Sequence, residues 1–149
     1  MTFTINDILR NDMLVSALFS WAAAQFLKTI IYAIINKSID FTRLVGDGGM
    51  PSGHSATVTA LSVTAAIEYG LDSPVFALAF VFAIVVMHDA MGVRLEASKH
   101  AVMLNNLFEL LDPEISPEQK LKEFLGHTPT QVVAGAILGF LVAIVYYFM

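Results

Sequence analysis

Residues 74–93 read PVFALAFVFAIVVMHDAMGV, and no charged side chain stands before Asp89. A run of about 20 apolar residues is long enough to cross the hydrocarbon core of a bilayer as one helix. Further apolar runs lie at residues 13–36, 55–70 and 128–149, and the run at 55–70 is the shortest. The pattern predicts an all-α protein, a polytopic membrane bundle of about four spanning helices.

The composition agrees with lipid as the main solvent of the chain. Apolar residues make up 56% of the 149 residues, charged residues 14%, and the mean hydropathy is +0.69. These values are too apolar for a water-soluble domain of that size. The net charge is −5 and no basic face is available for nucleic acid, while the lack of cysteine excludes disulfides and thiolate chemistry. We therefore expect one membrane-embedded domain over residues 1–149, with the lipid bilayer and not nucleic acid as its partner.

The connections between the apolar runs assign the polar residues to two membrane faces. Residues 71–73 are too few for anything but an antiparallel hairpin between the second and third runs. If the four helices alternate in direction, helices one and three end at the same membrane face at which helices two and four begin. The side chains brought to this face are Arg43, His54, Asp89, Arg94 and His127. Any chemistry is expected there.

Residues 95–126 form an excursion on the same face. The apolar stripe over about 95–111 predicts an amphipathic helix that stops at Asp112-Pro113. Ser116-Pro117-Glu118-Gln119 has the residues of a capping box, which predicts a second helix ending before Gly126. We expect both amphipathic helices to lie on the membrane surface.

The tetrapeptide Pro51-Ser52-Gly53-His54 directly precedes the second apolar run. Ser52, the backbone amides after it and the positive end of the helix dipole can converge on an anion. Gly53 lets the backbone approach a ligand closely, and His54 adds a titratable nitrogen. The same residues also fit an ordinary serine cap followed by a histidine at the headgroup level, so the tetrapeptide alone leaves both interpretations open.

Residues 49–56, GMPSGHSA, resemble the central motif of the type-2 phosphatidic acid phosphatase superfamily, in particular its divergent branch of small membrane proteins. The third motif of that superfamily has an arginine at the end of one spanning helix and a histidine at the start of the last. Arg94 and His127 match these positions if the excursion is inserted between them, whereas Arg94 with His100 is the competing register. Gln131 and the small residues of the last run favour His127.

Two features depart from the superfamily pattern. Gln131 stands where the superfamily has the carboxylate that orients the histidine, and Asp89 is a candidate to supply that carboxylate. Thr128 and Gln131 also fit a capping box, which leaves an orienting role and a capping role open for the glutamine. The first motif is imperfect as well, because Lys28 and Arg43 are widely separated.

The resemblance implies a lipid phosphatase that works without a metal or cofactor on a phosphorylated membrane lipid. His127 would attack phosphorus and form a phosphohistidine, while His54 protonates the leaving group. The resemblance and the local pattern assign the phosphate to Lys28, Arg43, Ser52, Gly53 and Arg94. A lysine two turns inside a spanning helix costs a few kcal/mol unless it is paired or hydrated, which favours Lys28 as a counter-ion to a phosphate or to Asp89 over simple snorkelling.

Two alternatives accompany this interpretation. Vanadate-dependent oxidation, known from the related haloperoxidases, is disfavoured by a lipid-embedded site, and a non-catalytic lipid-phosphate binding or transport protein would use the same cationic pocket. The sequence also predicts a bacterial-type cell membrane with the site on the cytoplasmic face, because basic residues predominate on that side. It leaves open the lipid headgroup and whether copies of the chain form a homo-oligomer.

Overall fold

The computed structural model of the chain describes residues 4–38, 48–112, 116, 119–123 and 126–149. Within these residues the regular structure is helical, without a strand. The helices in chain order are α1 Ile5–Leu9, α2 Asp12–Asn36, α3 Gly53–Tyr69, α4 Pro74–Met91, α5 Val93–Leu111 and α6 Pro129–Phe148. The predicted fold class, a helical membrane bundle with additional shorter helices, is confirmed.

Local sequence determines where the long helices begin. Asn11, Ser52, Ser73 and Thr128 each accept a hydrogen bond from a backbone N–H of the following turn, at the start of α2, α3, α4 and α6 respectively. Such caps satisfy donors that a helix start otherwise leaves without a partner. In α4 and α6 a proline occupies the first turn, where its missing N–H costs nothing.

Among the described residues, three helical runs are long and apolar enough to cross a membrane: α2, the run Pro74–Leu111 that contains α4 and α5, and α6. The remaining core helix, α3, has 17 residues and lies in contact with α2, α4 and α6. Its buried residues are small or polar, among them Ser55, Ala56, Ser62 and Thr64. Neighbouring helices therefore supply the surroundings of this short helix, which agrees with the short second run in the sequence.

Small residues let α6 approach α3 until the two backbones touch. A Cβ atom on Gly139 would collide with the carbonyl oxygen of Ala56, and one on Gly135 with that of Ser52. The hydroxyl of Ser20 in α2 donates to the same Ala56 oxygen at 3.0 Å. Close packing of this kind, with hydrogen bonds between helices, is what holds bundles together in lipid.

The excursion differs from the prediction in its second half. The first amphipathic helix is present as α5, but residues 121–123 are not helical, so the predicted second helix is wrong over the described residues. The physical reason is a tertiary contact, because the buried side chain of Asn105 binds the backbone N–H and C=O of Leu121 at 2.8 and 2.9 Å. The capping interaction itself is present: the backbone N–H of Ser116 donates to Oε1 of Gln119 at 3.1 Å, and the N–H of Gln119 donates to the Ser116 carbonyl at 3.0 Å.

The glycine contact predicts a large effect of one added methyl group. Gly139→Ala forces α6 away from the Ala56 carbonyl and is expected to destabilise the bundle by about 1–3 kcal/mol. Val133→Ile, which adds one carbon to a 57% exposed residue of the same helix, is the matched control. Thermal unfolding of both variants in detergent measures the difference, and equal midpoints would contradict the assigned contact.

Candidate active site

The starts of α3 and α6 and the end of α4 meet at one end of the bundle. The backbone N–H of Ser52 donates to the carbonyl of Gln131 at 3.1 Å, and the N–H of His127 donates to the carbonyl of Ala90 at 3.0 Å. These bonds bring the rings of His54 and His127 together, with centroids 5.8 Å apart and planes inclined by 61°. The face predicted from the topology therefore collects both histidines.

His127 is 2% exposed and precedes the Thr128 cap of α6. Its Nδ1 lies 3.3 Å from Oε1 of Gln131, and the same oxygen accepts the backbone N–H of Thr128 at 3.0 Å. That N–H requires an acceptor, so it fixes the amide with its oxygen towards the ring. The glutamine thus completes the capping box and contacts the histidine with the same oxygen, so its position is compatible with both a capping and an orienting role.

Ser52 is the cap of α3 and is fully buried. Its Oγ accepts the backbone N–H of Ser55 at 3.3 Å and the Ser55 hydroxyl at 3.0 Å. Gly53 follows as the first helical residue and packs against Trp21, whose Cδ1 would lie 3.6 Å from a Cβ atom at this position. The structural role of the serine cap is therefore present, and its proposed phosphate contact stays a prediction.

Lys28 is 5% exposed on α2, and its aliphatic part packs against Gly49. Gly48 and Gly49 have φ of +78° and +81°, a conformation that other residues rarely adopt, and the chain turns there towards the Ser52 cap. One turn before the lysine, Gln25 is 7% exposed, and its Oε1 has no hydrogen-bond partner among the described residues. A buried cation and a buried amide thus share one face of α2.

Arg94 lies at the start of α5 and donates from Nε to Asp89 Oδ2 at 2.6 Å. The two side chains are 45% and 40% exposed, so this ion pair is accessible to solvent. Asp89, the candidate carboxylate for His127, is thus bound to the arginine. His88 and His100 are exposed, and Arg43 lies outside the described residues.

The described site residues fall into three groups, of which the first is Lys28, buried on α2 against Gly49. His54, His127 and Gln131 come together with Ser52 and Gly53 at the helix starts, whereas Asp89 and Arg94 form a separate exposed pair. No cluster of three or more His, Asp or Glu side chains that could hold a metal ion occurs in the part of the chain that the structure describes.

Sequence reasoning did not identify Asn105, which is 3% exposed and binds the segment leading to His127. No local signal in the sequence marks it, because Asn105 lies with Ser98 and Ala101 on the buried face of α5 and not on the apolar stripe. The leucines of that stripe are exposed, namely Leu104, Leu107 and Leu111.

The shared Gln131 oxygen leads to a prediction with two variants. Gln131→Glu keeps the acceptor for both Thr128 and His127 and adds a charge that stabilises a protonated ring, so the activity proposed below should stay similar or rise. Gln131→Ala removes both contacts and should lower stability by about 1 kcal/mol through loss of the cap. Melting temperature and turnover are measured on the same preparations. Inactivity of Gln131→Ala at an unchanged melting temperature would contradict a capping contribution.

Comparison with known proteins identifies a family whose match covers the residues of this site. The Divergent PAP2 family matches residues 9–142, which includes both histidines, Lys28, Arg94 and Gln131. The chain is 40% identical over 157 aligned residues to the uncharacterized membrane protein YuiD of Bacillus subtilis strain 168, covering 96% of this chain and 99% of that protein. No solved structure matches the chain. The resemblance seen at residues 49–56 thus extends over most of the sequence, and the chain belongs to the Divergent PAP2 family.

Proposed function

We propose that this protein is a membrane lipid phosphatase that hydrolyses a phosphate monoester or pyrophosphate of a lipid through a phosphohistidine. The observation that carries the proposal is the pair of histidines at two helix starts, 5.8 Å apart. Two imidazoles at that separation suit a nucleophile and a general acid acting on opposite ends of one breaking P–O bond.

The contact with Gln131 gives His127 the tautomer that a nucleophile needs. Because Oε1 of the glutamine is an acceptor, Nδ1 of His127 carries the proton and Nε2 keeps its lone pair. Nε2 attacks phosphorus, an N–P bond forms, and the bond between phosphorus and the leaving oxygen breaks as His54 donates a proton to that oxygen. His54 then takes a proton from water, whose oxygen attacks phosphorus and releases phosphate from His127.

We expect positive groups on α2 and α5 to bind the phosphoryl anion. Lys28 is buried beside the Gly49 turn, where a charge in lipid is stable only with a counter-charge or polar partners. Arg94 is held by an exposed ion pair, which contributes little, so its guanidinium can exchange Asp89 for phosphate. The starts of α3 and α6 add two positive helix ends, with Ser52 and Gly53 at the first. Arg43 is the remaining proposed phosphate ligand.

A non-catalytic lipid-phosphate binding or transport protein is the second candidate. The neutral Gln131 at the place of a carboxylate favours it, because an amide stabilises a positive imidazole less than a carboxylate does. Both candidates require the same cationic pocket, and only turnover separates them.

Phosphate release from phosphatidic acid in detergent micelles by the purified protein tests the proposal. We expect vanadate-sensitive release, and a loss of about 10²–10⁴-fold in kcat for His54→Ala and a comparable or larger loss for His127→Ala. His100→Ala, an exposed histidine of α5, is the matched control and should keep most activity.

Quenching in alkaline denaturant during turnover should also trap phosphate on a peptide that contains residue 127, because the N–P bond of a phosphohistidine is stable in base and is hydrolysed in acid. Lipid-phosphate binding without release would favour the second candidate. An inactive His100→Ala together with an active His127→Ala would show that the third motif was placed at the wrong histidine.

The charge distribution further suggests that the site faces the cytoplasm. The described basic residues on the site side are Lys37, Arg94, Lys99, Lys120 and Lys122, against Arg10 on the other side. Short loops rich in lysine and arginine stay in the cytoplasm. The substrates would then be lipids made on the inner leaflet, such as phosphatidic acid or phosphatidylglycerophosphate.

Single cysteines in this cysteine-free chain test the orientation. Ser38→Cys follows α2 on the site side, and Asp72→Cys lies in the exposed α3–α4 turn on the other side. An impermeant thiol reagent applied to intact cells should label position 72, and position 38 only after permeabilisation. The reverse pattern would falsify the cytoplasmic assignment.

A further inference from the structure

The chain segment that leads to His127 is bound along α5 by a buried asparagine. Asn105 is 3% exposed, and its Oδ1 accepts the backbone N–H of Leu121 at 2.8 Å. Its Nδ2 donates to the Leu121 carbonyl at 2.9 Å and to Oε1 of Glu123 at 2.8 Å. Three hydrogen bonds from one buried amide fix where this segment crosses the helix.

A second attachment lies one residue before the histidine. The N–H of Gly126 donates to Oγ of Ser98, a residue of α5 that is 9% exposed, at 3.1 Å. The contact is so close that a Cβ atom on Gly126 would collide with the backbone nitrogen of Leu95 and lie 2.6 Å from the carbonyl carbon of Arg94. The segment therefore touches the same helix start that carries Arg94.

His127 follows directly, and its own N–H donates to the Ala90 carbonyl at the end of α4. The backbone on the N-terminal side of the histidine is thus attached to α4 and α5, while Thr128 attaches the other side to the α6 cap. We propose that Ser98 and Asn105 are positioning residues, which set the place of the His127 ring relative to His54 and Arg94. This inference rests on the proposed function in so far as His127 is the nucleophile.

The role proposed for Ser98 and Asn105 follows from how accurately a nucleophile must be placed to attack phosphorus. A nucleophile that is displaced by about 1 Å loses on the order of 100-fold in rate, so the residues that support it matter even when they never touch the substrate. The bond from His127 to Ala90 holds one point of this backbone. The bonds from α5 add further points and hold Gly126 against the helix start that carries Arg94.

Chemical modification of the histidines tests the positioning without any need for activity. Diethyl pyrocarbonate modifies accessible imidazoles, and mass spectrometry resolves each of the four histidines. In the folded wild type His127 should react slowly and the exposed His100 quickly. Asn105→Ala should raise the modification rate of His127 about tenfold, because the segment before it opens more often. The modification rates of His54 and His100 should stay unchanged. The adjacent, exposed Asn106→Ala is the matched control and should leave all rates unchanged.

Ser98 provides a milder variant in case Asn105→Ala fails to fold. Ser98→Ala removes the acceptor for the Gly126 N–H and should raise the modification rate of His127 about threefold to tenfold. Ser98→Thr keeps the hydroxyl, so His127 should react as slowly as in the wild type. Phosphate release supplies a second readout. In both alanine variants kcat should fall about tenfold to 100-fold with KM within about twofold, because the lost contacts misplace the nucleophile and not the phosphate.

The outcomes separate the two proposals. Selective exposure of His127 in a protein without phosphatase activity would support positioning and overturn the proposed function. Unchanged His127 reactivity in folded Asn105→Ala and Ser98→Ala would overturn positioning, whatever the activity. An equal rise in the modification rates of His54 and His127 would also overturn positioning, because it would show that the whole bundle has loosened.

Discussion

The contact between α3 and α6 determines the distance between the two histidines. Gly135 and Gly139 leave no atom between the helix backbones, so the helices meet at Ser52 and Ala56. His54 lies in the first turn of α3 and His127 just before the first turn of α6, and their separation follows from that contact. Larger side chains in place of the glycines would separate the helix starts as well as destabilise the core. Stability and site geometry therefore depend on the same two residues.

Electrostatics explains why such an arrangement is expected to hold an anion. Two helix starts direct positive dipole ends to the same region, and Lys28 brings a full charge into a nearly solvent-free position. Positive potential of this kind in lipid favours the binding of an anion. The Arg94–Asp89 pair differs, because it is exposed and can open without leaving a buried charge. The buried cation and the exposed one thus suit different tasks, namely a fixed counter-charge and an exchangeable ligand.

Much of the fold could be predicted from the sequence because lipid imposes simple rules. Apolar length identified the long core helices, and Ser52 and Thr128 marked two of their starts within a few residues. The failure at residues 121–123 has a physical reason: a capping box starts a helix, but the three bonds of Asn105 hold the following backbone in another conformation. Local signals compete poorly with a buried amide that needs partners from a distant part of the chain.

The site was predicted in part for a related reason. Topology alone brings His54 and His127 to one face, and the structure places their rings in contact. Periodicity and spacing carry no information on side-chain pairing, so the bond between Asp89 and Arg94 was not anticipated. The positions of Ser98 and Asn105 against the segment before His127 depend on how α5 turns after α4, and no local motif encodes that turn.

The orientation of the Gln131 amide makes this neutral side chain compatible with the proposed chemistry. Replacing the carboxylate of a catalytic histidine by an amide is damaging in other enzymes chiefly because the amide turns its NH₂ group to the ring and enforces the wrong tautomer. Here the N–H of Thr128 binds Oε1 and prevents that rotation, so the oxygen faces Nδ1 of His127. The remaining deficit is the missing negative charge, and the phosphoryl group bonded to Nε2 brings negative charge to the ring at the moment it becomes positive. In the proposed mechanism the capping box of α6 therefore does more than start a helix, since it holds the oxygen of a neutral side chain towards the proposed nucleophile.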